Sequence, residues 1–188
     1  MPATNSEIEL KAQNLLKDLQ ISELPIPLEQ IAKKMGVNLL PFDLGADVSG
    51  LLHLEENSAT IGYNPNESKV RQRFTIAHEI GHYVLHTNNG TKQSEDDIFI
   101  DNRNHYQEIM FRSEKPKLTL ENYNKEKEAN SFAAALLMPL QSVKKEMLKY
   151  NGFDLSDNTM IVDLAKKFEV SIPAMSFRII NLNNDNLL

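Results

Sequence analysis

The chain has 188 residues, of which 41% are hydrophobic, so it can form one sizeable core but hardly two large domains. Its 26 acidic and 20 basic residues give a net charge of -6, which disfavours contact with nucleic acid and with anionic membrane surfaces. It contains no cysteine, which excludes disulfides and thiolate ligands, so any metal ion must be held by histidine and carboxylate groups.

The chain shows no sign of a membrane segment or of a secretion signal. Its first ten residues, MPATNSEIEL, lack a basic region followed by an apolar stretch. The longest apolar run, FAAALLMPL at 132–140, is far too short to span a bilayer. We therefore expect a cytoplasmic protein that does not contact membranes.

The first half of the chain predicts helices around a small antiparallel sheet. Ser6 and Glu9 match a capping box at the start of an amphipathic helix that extends to about residue 20. A shorter second helix should end at Gly36. The segment NPNE at 64–67 predicts the start of a third helix, because proline favours the first helical position. Short strands separated by polar turns are predicted at 37–40, 48–54 and 59–63.

The second half predicts one more buried helix and a helical end. Residues 87–105 are polar and acidic and are interpreted as a surface loop, while YQEIMFR at 106–112 is a candidate edge strand. An amphipathic helix follows and stops at Pro139. Residues 141–188 predict two or three helical pieces with a fraying tail at 181–188. The buried stripe of the amphipathic helix is Ala129, Phe132, Ala133, Leu136 and Leu137.

The segment FTIAHEIGHYVLH at 74–86 carries the pattern H-E-x-x-H on the third predicted helix. His78 and His82 are four residues apart, so both imidazoles lie on one side of the helix and can bind one zinc ion. Glu79 points elsewhere, where its carboxylate can take a proton from a water that the zinc activates. The pattern predicts a zinc-dependent hydrolase, and the alternative is a helix whose histidines only make hydrogen bonds in the core.

His86 follows His82 by one further turn but is not predicted to bind the same ion. Eight helical residues separate it from His78 by about 12 Å along the axis, whereas zinc ligands lie about 2 Å from the ion. We expect His86 to hydrogen-bond to a ligand, to cap the helix end or simply to pack. The third ligand must therefore come from another element.

A carboxylate on the second buried helix is the natural candidate for that ligand, because His53 and His105 fall in a predicted strand and a loop. Glu126 and Glu128 both precede the apolar stripe of this helix. Counting about 100° per residue places Glu126 about 70° to one side of the stripe and Glu128 about 90° to the other. Helical periodicity alone therefore leaves both residues as candidates for the third ligand.

The motifs RFTIAHEIGHYVLH and EKEANSFAAALLMP resemble those of the ImmA/IrrE family of zinc metallopeptidases. The family pairs an HExxH helix with a downstream helix of pattern E-x-x-A-N-x-F-A-x-x-L-L-M-P. The resemblance covers roughly residues 25–140 and implies an α+β, zincin-like fold, with a small antiparallel sheet packed on the two motif helices. We predict a metallopeptidase domain at 1–140 and a helical segment at 141–188 packed on it.

The resemblance also implies a ligand set. Matching the second motif makes Glu126 its leading glutamate, so the implied site is His78, His82 and Glu126 on zinc, with Glu79 as general base. Asn130, the motif asparagine, follows Glu126 by one turn and can orient a ligand, or act only at the helix surface or as a cap. The same donors also suit Mn²⁺ and Fe²⁺, so these ions are alternatives to zinc.

Members of this family are associated with cleaving helix-turn-helix repressors of phages, mobile elements or stress responses. The resemblance therefore implies an endopeptidase whose partner is such a repressor. The residue that stabilises the developing oxyanion is open, with Tyr63, Tyr83 and Tyr106 as candidates that can equally serve in packing.

Two functions compete with proteolysis. The chain can be a zinc-containing antirepressor that binds a repressor without cutting it, although such a site does not need Glu79 beside its ligands. Residues 164–179 have the spacing of a helix-turn-helix, which is a DNA-binding alternative. Its second helix offers only Arg178 as a contact to DNA, so direct binding to nucleic acid is not expected.

Overall fold

The fold is α+β, as predicted from the sequence, and its described residues form helices and one small sheet. The computed structural model describes residues 3–43, 45, 48–56, 58–87, 98–102, 119–150, 158–185 and 187, with only the backbone at 98–102 and 158. The helices in these ranges are α1 (Asn5–Asp18), α2 (Leu28–Met35), α3 (Lys69–His86), α4 (Leu120–Leu137), α5 (Leu140–Met147), α6 (Asn158–Phe168) and α7 (Ile172–Asn184). The strands are β1 (Val37–Pro41), β2 (Val48–Leu54), β3 (Ala59–Tyr63) and β4 (Ile98–Asn102).

The sheet has the order β1-β3-β2-β4 and is mixed, which corrects the prediction of an all-antiparallel sheet. The strand β2 runs antiparallel to both β3 and β4, as predicted for a small antiparallel sheet. The strand β1 lies parallel to β3, with Val37 beside Ala59. Side chains alternate between faces with the same period in both kinds of pairing, so the sequence pattern does not reveal strand direction.

The strand β4 lies within the stretch that the sequence predicts as a loop. Its backbone pairs with β2 at the edge of the sheet, with a register shift between Val48 and Gly50. Three β-forming residues, Ile98 to Ile100, are too short a run among acidic and amide residues to stand out. They become a strand because β2 offers them a free edge. The edge strand predicted at 106–112 lies outside the described residues.

Two helices begin at other residues than the sequence predicts. The capping box of α1 is formed by Thr4 and Glu7, not by Ser6 and Glu9, since Thr4 Oγ1 accepts from the Glu7 N–H and the Glu7 carboxylate accepts from the Thr4 N–H. Glu9 is thereby free to bind elsewhere. The NPNE segment forms a turn before α3, because the Asn64 side chain accepts from the Asn66 N–H, and α3 begins only at Lys69.

The helices α3 and α4 pack closely where Gly81 faces Ala129. A Cβ atom at Gly81 would lie 3.1 Å from the carbonyl oxygen and 3.2 Å from the Cα atom of Ala129. A larger residue would separate the two helices. Gly81 directly precedes His82, and Ala129 follows Glu126 by three residues, so this contact sets the distance between the two motifs.

The strand β2 approaches α3 equally closely at Gly50. A Cβ atom there would lie 2.2 Å from Cγ2 of Thr75 and 3.3 Å from Oε1 of Glu79. It would also lie 3.2 Å from the backbone oxygen of Gly62 in β3. Gly50 therefore permits the sheet to touch α3 at the glutamate of the HExxH motif.

We expect Gly50→Ala to lower the free energy of unfolding by about 1–3 kcal/mol, because the added methyl group forces β2 and α3 apart. Urea unfolding measures this change. Thr75→Ser removes the methyl group that the new Cβ would meet, so Gly50→Ala should cost clearly less in the Thr75→Ser background. An equal cost in both backgrounds would show that the Thr75 contact does not set the spacing.

The C-terminal helices are joined to the rest of the chain by Arg178 of α7. Its guanidinium donates to the Met138 backbone oxygen at the end of α4 (3.0 Å) and to Glu9 of α1 (2.7 Å), and only 8% of the residue is exposed. Leu182 is buried, so the helix continues to Asn184 where the sequence predicts fraying. The boundary at residues 140 and 141 stays a prediction.

The spacing of a helix-turn-helix does occur in α6 and α7. Glu169 adopts a left-handed conformation (φ 51°) in the turn, and Ser171 caps α7 by accepting from the Ala174 N–H. Arg178, however, points into the protein and not towards solvent, which corrects its interpretation as a contact to DNA. Within the described ranges, no helix is long and apolar enough to cross a membrane.

Candidate metal centre

The centre lies between α3 and α4. The residues from Thr75 to His82 on α3 are all buried, because this helix lies between the sheet and α4. The first turns of α4 are polar and begin at Leu120, six residues before Glu126, with Thr119 as the capping residue. The sequence pattern predicted only the later, apolar part of this helix. Its early turns carry Glu126 to the two histidines of α3.

The side chains of His78, His82 and Glu126 meet at one point. The Nε2 atoms of the two imidazoles are 3.0 Å apart, and each lies 3.3 Å from a different oxygen of the Glu126 carboxylate. Both imidazoles are almost fully buried, while 12% of the Glu126 side chain is exposed. Together they form a group that can hold a metal ion.

The spacing of these atoms suits a tetrahedral ion. Two ligand atoms about 2.0–2.1 Å from a zinc ion in tetrahedral geometry lie roughly 3.3–3.4 Å from each other. The observed separations are 3.0–3.3 Å. As metal ligands, both facing nitrogens must be unprotonated, and in that form they repel each other unless a cation lies between them. The donor set therefore fits a divalent ion.

The pKa values at the centre favour its metal-binding form. Burial lowers the pKa of His82 to about 4, although hydrogen bonding to Glu126 opposes this shift. For Glu126, burial raises the pKa, but the hydrogen bonds and charges of His78 and His82 outweigh it, and the net shift is downward. At neutral pH, His82 is thus uncharged and Glu126 is ionised, as ligands must be.

Each of the two converging histidines has a hydrogen-bond partner on its other nitrogen. Nδ1 of His78 lies 3.0 Å from Oδ1 of Asn130, and Nδ1 of His82 lies 3.0 Å from Nδ1 of His86. His78 also packs against Phe74, with ring centroids 6.2 Å apart. Asn130 and His86 therefore contact the two converging histidines, and their role in orienting ligands stays a prediction.

Glu128 is not part of the group that could hold a metal ion, so the geometry favours Glu126 of the two residues that helical periodicity left open. Its Oε2 atom lies 3.0 Å from Nε2 of His86, and its Oε1 atom accepts from the Ala3 N–H at 2.6 Å. Glu126 and Glu128 flank the buried stripe of α4 on opposite sides. The path of α4 across α3 directs one to the ligand histidines and the other to His86.

The link between Glu128 and His86 is the feature that sequence reasoning missed. The two residues are 42 positions apart in the chain. No pattern within either motif connects them. Only the packing of α4 on the C-terminal turn of α3 brings them together.

Glu79 is fully buried between α3 and the sheet, where Gly50 of β2 leaves room for its carboxylate. It points away from α4, consistent with its place one residue after His78 on the helix. A carboxylate at this depth is costly to bury, which is typical of a functional group and unusual for a merely structural one.

The other residues considered from the sequence lie apart from this group or outside the description. His53 is partly exposed on β2 beside Glu55. Tyr63 and Tyr83 are half-buried and pack against the core, and no contact identifies either as an oxyanion donor. His105 and Tyr106 lie outside the described residues.

Comparisons with known proteins agree with the motifs and the fold. A peptidase family model described as the IrrE N-terminal-like domain matches residues 32–116 and 104–179. An uncharacterised immunity region protein 2 of Bacillus phage phi105 is 26% identical over 132 residues, which are 70% of this chain and 68% of that protein.

A Mycobacterium tuberculosis transcriptional regulator shares the fold, with a TM-score of 0.55 and 16% identity. The match covers 90% of this chain but only 45% of the regulator, so the chain spans less than half of that structure. The family model, in contrast, matches well over half of the chain and includes both motif helices. The chain therefore belongs to the ImmA/IrrE family, which is a family of metallopeptidase-type proteins.

Proposed function

We propose that the chain is a metal-dependent endopeptidase that cleaves a regulatory protein. The observation that carries this proposal is the convergence of His78, His82 and Glu126, with the buried Glu79 on the same helix. In this proposal the three converging residues hold a zinc ion. The same two nitrogens and one carboxylate also suit Mn²⁺ or Fe²⁺, and elemental analysis of the purified protein distinguishes them.

The roles of the protein groups follow from their positions. A divalent ion at the centre, when bound, polarises a peptide carbonyl and makes a water molecule more acidic. Glu79 takes the proton of the attacking water and passes it to the amine that leaves. Asn130 and His86 hold the imidazoles of His78 and His82 in the orientation that directs their Nε2 atoms to the ion.

The proposed substrate is a helix-turn-helix repressor in the cytoplasm. This part of the proposal is supported by the family and by the phage relative, whose name places it in an immunity region. Direct DNA binding has less support, because Arg178 is buried in an ion pair with Glu9 and the net charge is negative.

The test is to incubate the zinc-loaded protein with candidate helix-turn-helix repressors from the same genome and to identify fragments by mass spectrometry. We expect two fragments, and none after the zinc has been removed with a chelator. Restoring zinc should restore cleavage. Release of the repressor from its operator without any fragment would instead support the antirepressor function and contradict proteolysis.

A further inference from the structure

We infer that Glu128 is a positioning residue for the metal centre, which it reaches through His86 and His82. This inference rests on the proposed metal-binding function. The three side chains form a continuous path, the His82–His86–Glu128 chain. Nδ1 of His82 lies 3.0 Å from Nδ1 of His86, and Nε2 of His86 lies 3.0 Å from Oε2 of Glu128.

The position of each proton along this path follows from the donors and acceptors. An ionised carboxylate only accepts, so Nε2 of His86 must carry the hydrogen that faces Glu128. Nδ1 of the neutral His86 ring is then an acceptor, and Nδ1 of His82 must donate to it. This leaves Nε2 of His82 unprotonated, and it is the nitrogen that faces Glu126 and His78. Glu128 thereby selects the ring form of His82 that can bind a metal ion.

The carboxylate of Glu128 is itself held in place. Its second oxygen accepts from the backbone N–H of Ala3, directly before the capping residue Thr4 of α1. The side chains of His86 and Glu128 are only 5% and 14% exposed, so water competes weakly for these hydrogen bonds. The start of α1 therefore fixes the far end of the path.

The two ligand histidines are supported differently. The path from His78 ends at the neutral amide of Asn130, whereas the path from His82 ends at a charged carboxylate. Hydrogen bonds that involve an ionised group are stronger and raise the basicity of the ligand ring more. We therefore expect Glu128 to contribute to metal affinity although it does not touch the ion.

The test measures the zinc dissociation constant by competition with a chromophoric chelator. We expect Glu128→Gln and His86→Leu each to raise this constant about 10- to 100-fold. The double variant should bind zinc no more weakly than His86→Leu alone, since Glu128 acts through the ring that is then missing. The visible spectrum of the cobalt-substituted protein should shift in both single variants, which a loss of stability elsewhere would not produce.

Glu121→Gln is the matched control, because it removes the same charge from an exposed position on the same helix. It should leave the zinc affinity and the cobalt spectrum unchanged. Should His86→Leu fail to fold, His86→Gln takes its place in the same comparison.

The outcomes separate this inference from the proposed metal centre. If the wild-type protein binds no zinc, and Glu126→Gln behaves identically, the metal centre itself is wrong. If the wild type binds zinc and Glu128→Gln binds it equally well, only the role of Glu128 is overturned. Effects of the two substitutions that multiply in the double variant would also overturn it, because Glu128 would then act without His86.

Discussion

Replacing Glu79 by glutamine should reduce the rate of repressor cleavage by about 10²- to 10⁴-fold, while the zinc content stays at the wild-type level. Glutamine has the shape of glutamate but cannot take up a proton at neutral pH. Its amide fits the space beside Gly50 that the carboxylate occupies. The rate of fragment formation, with zinc measured by elemental analysis on the same preparation, checks this result.

The stability of the Glu79→Gln variant provides the control. Glu79 is fully buried, and a neutral amide is less costly to bury than a charged carboxylate. We therefore expect an unfolding temperature equal to or above that of the wild type, as is common when a functional group is removed. A variant that binds zinc, folds normally and still cleaves the repressor at the wild-type rate would exclude Glu79 as the general base.

Removal of the metal should markedly lower the thermal stability of the protein. At free zinc about 1,000-fold above the dissociation constant, binding adds about 4 kcal/mol to the free energy of unfolding. For a chain of this size, that corresponds to a rise of roughly 8–16 °C in the unfolding temperature. Calorimetry with zinc and with chelator measures the difference. The physical reason is that only the folded chain brings the two imidazoles and the carboxylate together, so an ion that binds all three stabilises the folded state.

Glu126→Gln tests whether this stabilisation comes from the proposed ligands. A neutral amide at this position is a poor ligand, so most of the zinc-dependent rise should disappear. Glu121→Gln makes the same chemical change on the exposed side of α4 and should keep the full rise. An unchanged zinc dependence in Glu126→Gln would place the ion elsewhere in the protein.

The convergence of His78 and His82 could be predicted because its signal is local. His78 and His82 lie four residues apart on one helix, and helical geometry alone places their rings side by side. The exclusion of His86 as a third ligand rests on the same geometry, since the rise per residue sets its distance from His78. In the structure, His86 contacts His82 but is not a member of the group that His78, His82 and Glu126 form.

The sheet was predicted less completely, because strand pairing is not local. The strands β1, β2 and β3 lie where the sequence places them, within a residue at each end. Their order and the parallel direction of β1 depend on which edges meet after folding. The strand β4 has too little pattern of its own and forms because β2 offers it hydrogen-bond partners.

The fold class, the two motif helices and the residue types that converge between them could be predicted from local patterns, since periodicity and spacing act over a few residues. That Glu126 faces His78 and His82 while Glu128 faces His86 follows from the packing of distant elements and could not be predicted from either helix alone. The same holds for Arg178, which the sequence offers as a DNA contact but which is buried and donates to Glu9, 169 residues away in the chain. These outcomes depend on how α4 and α7 pack on distant parts of the chain, and the periodicity of one helix carries no information about which neighbour each face meets.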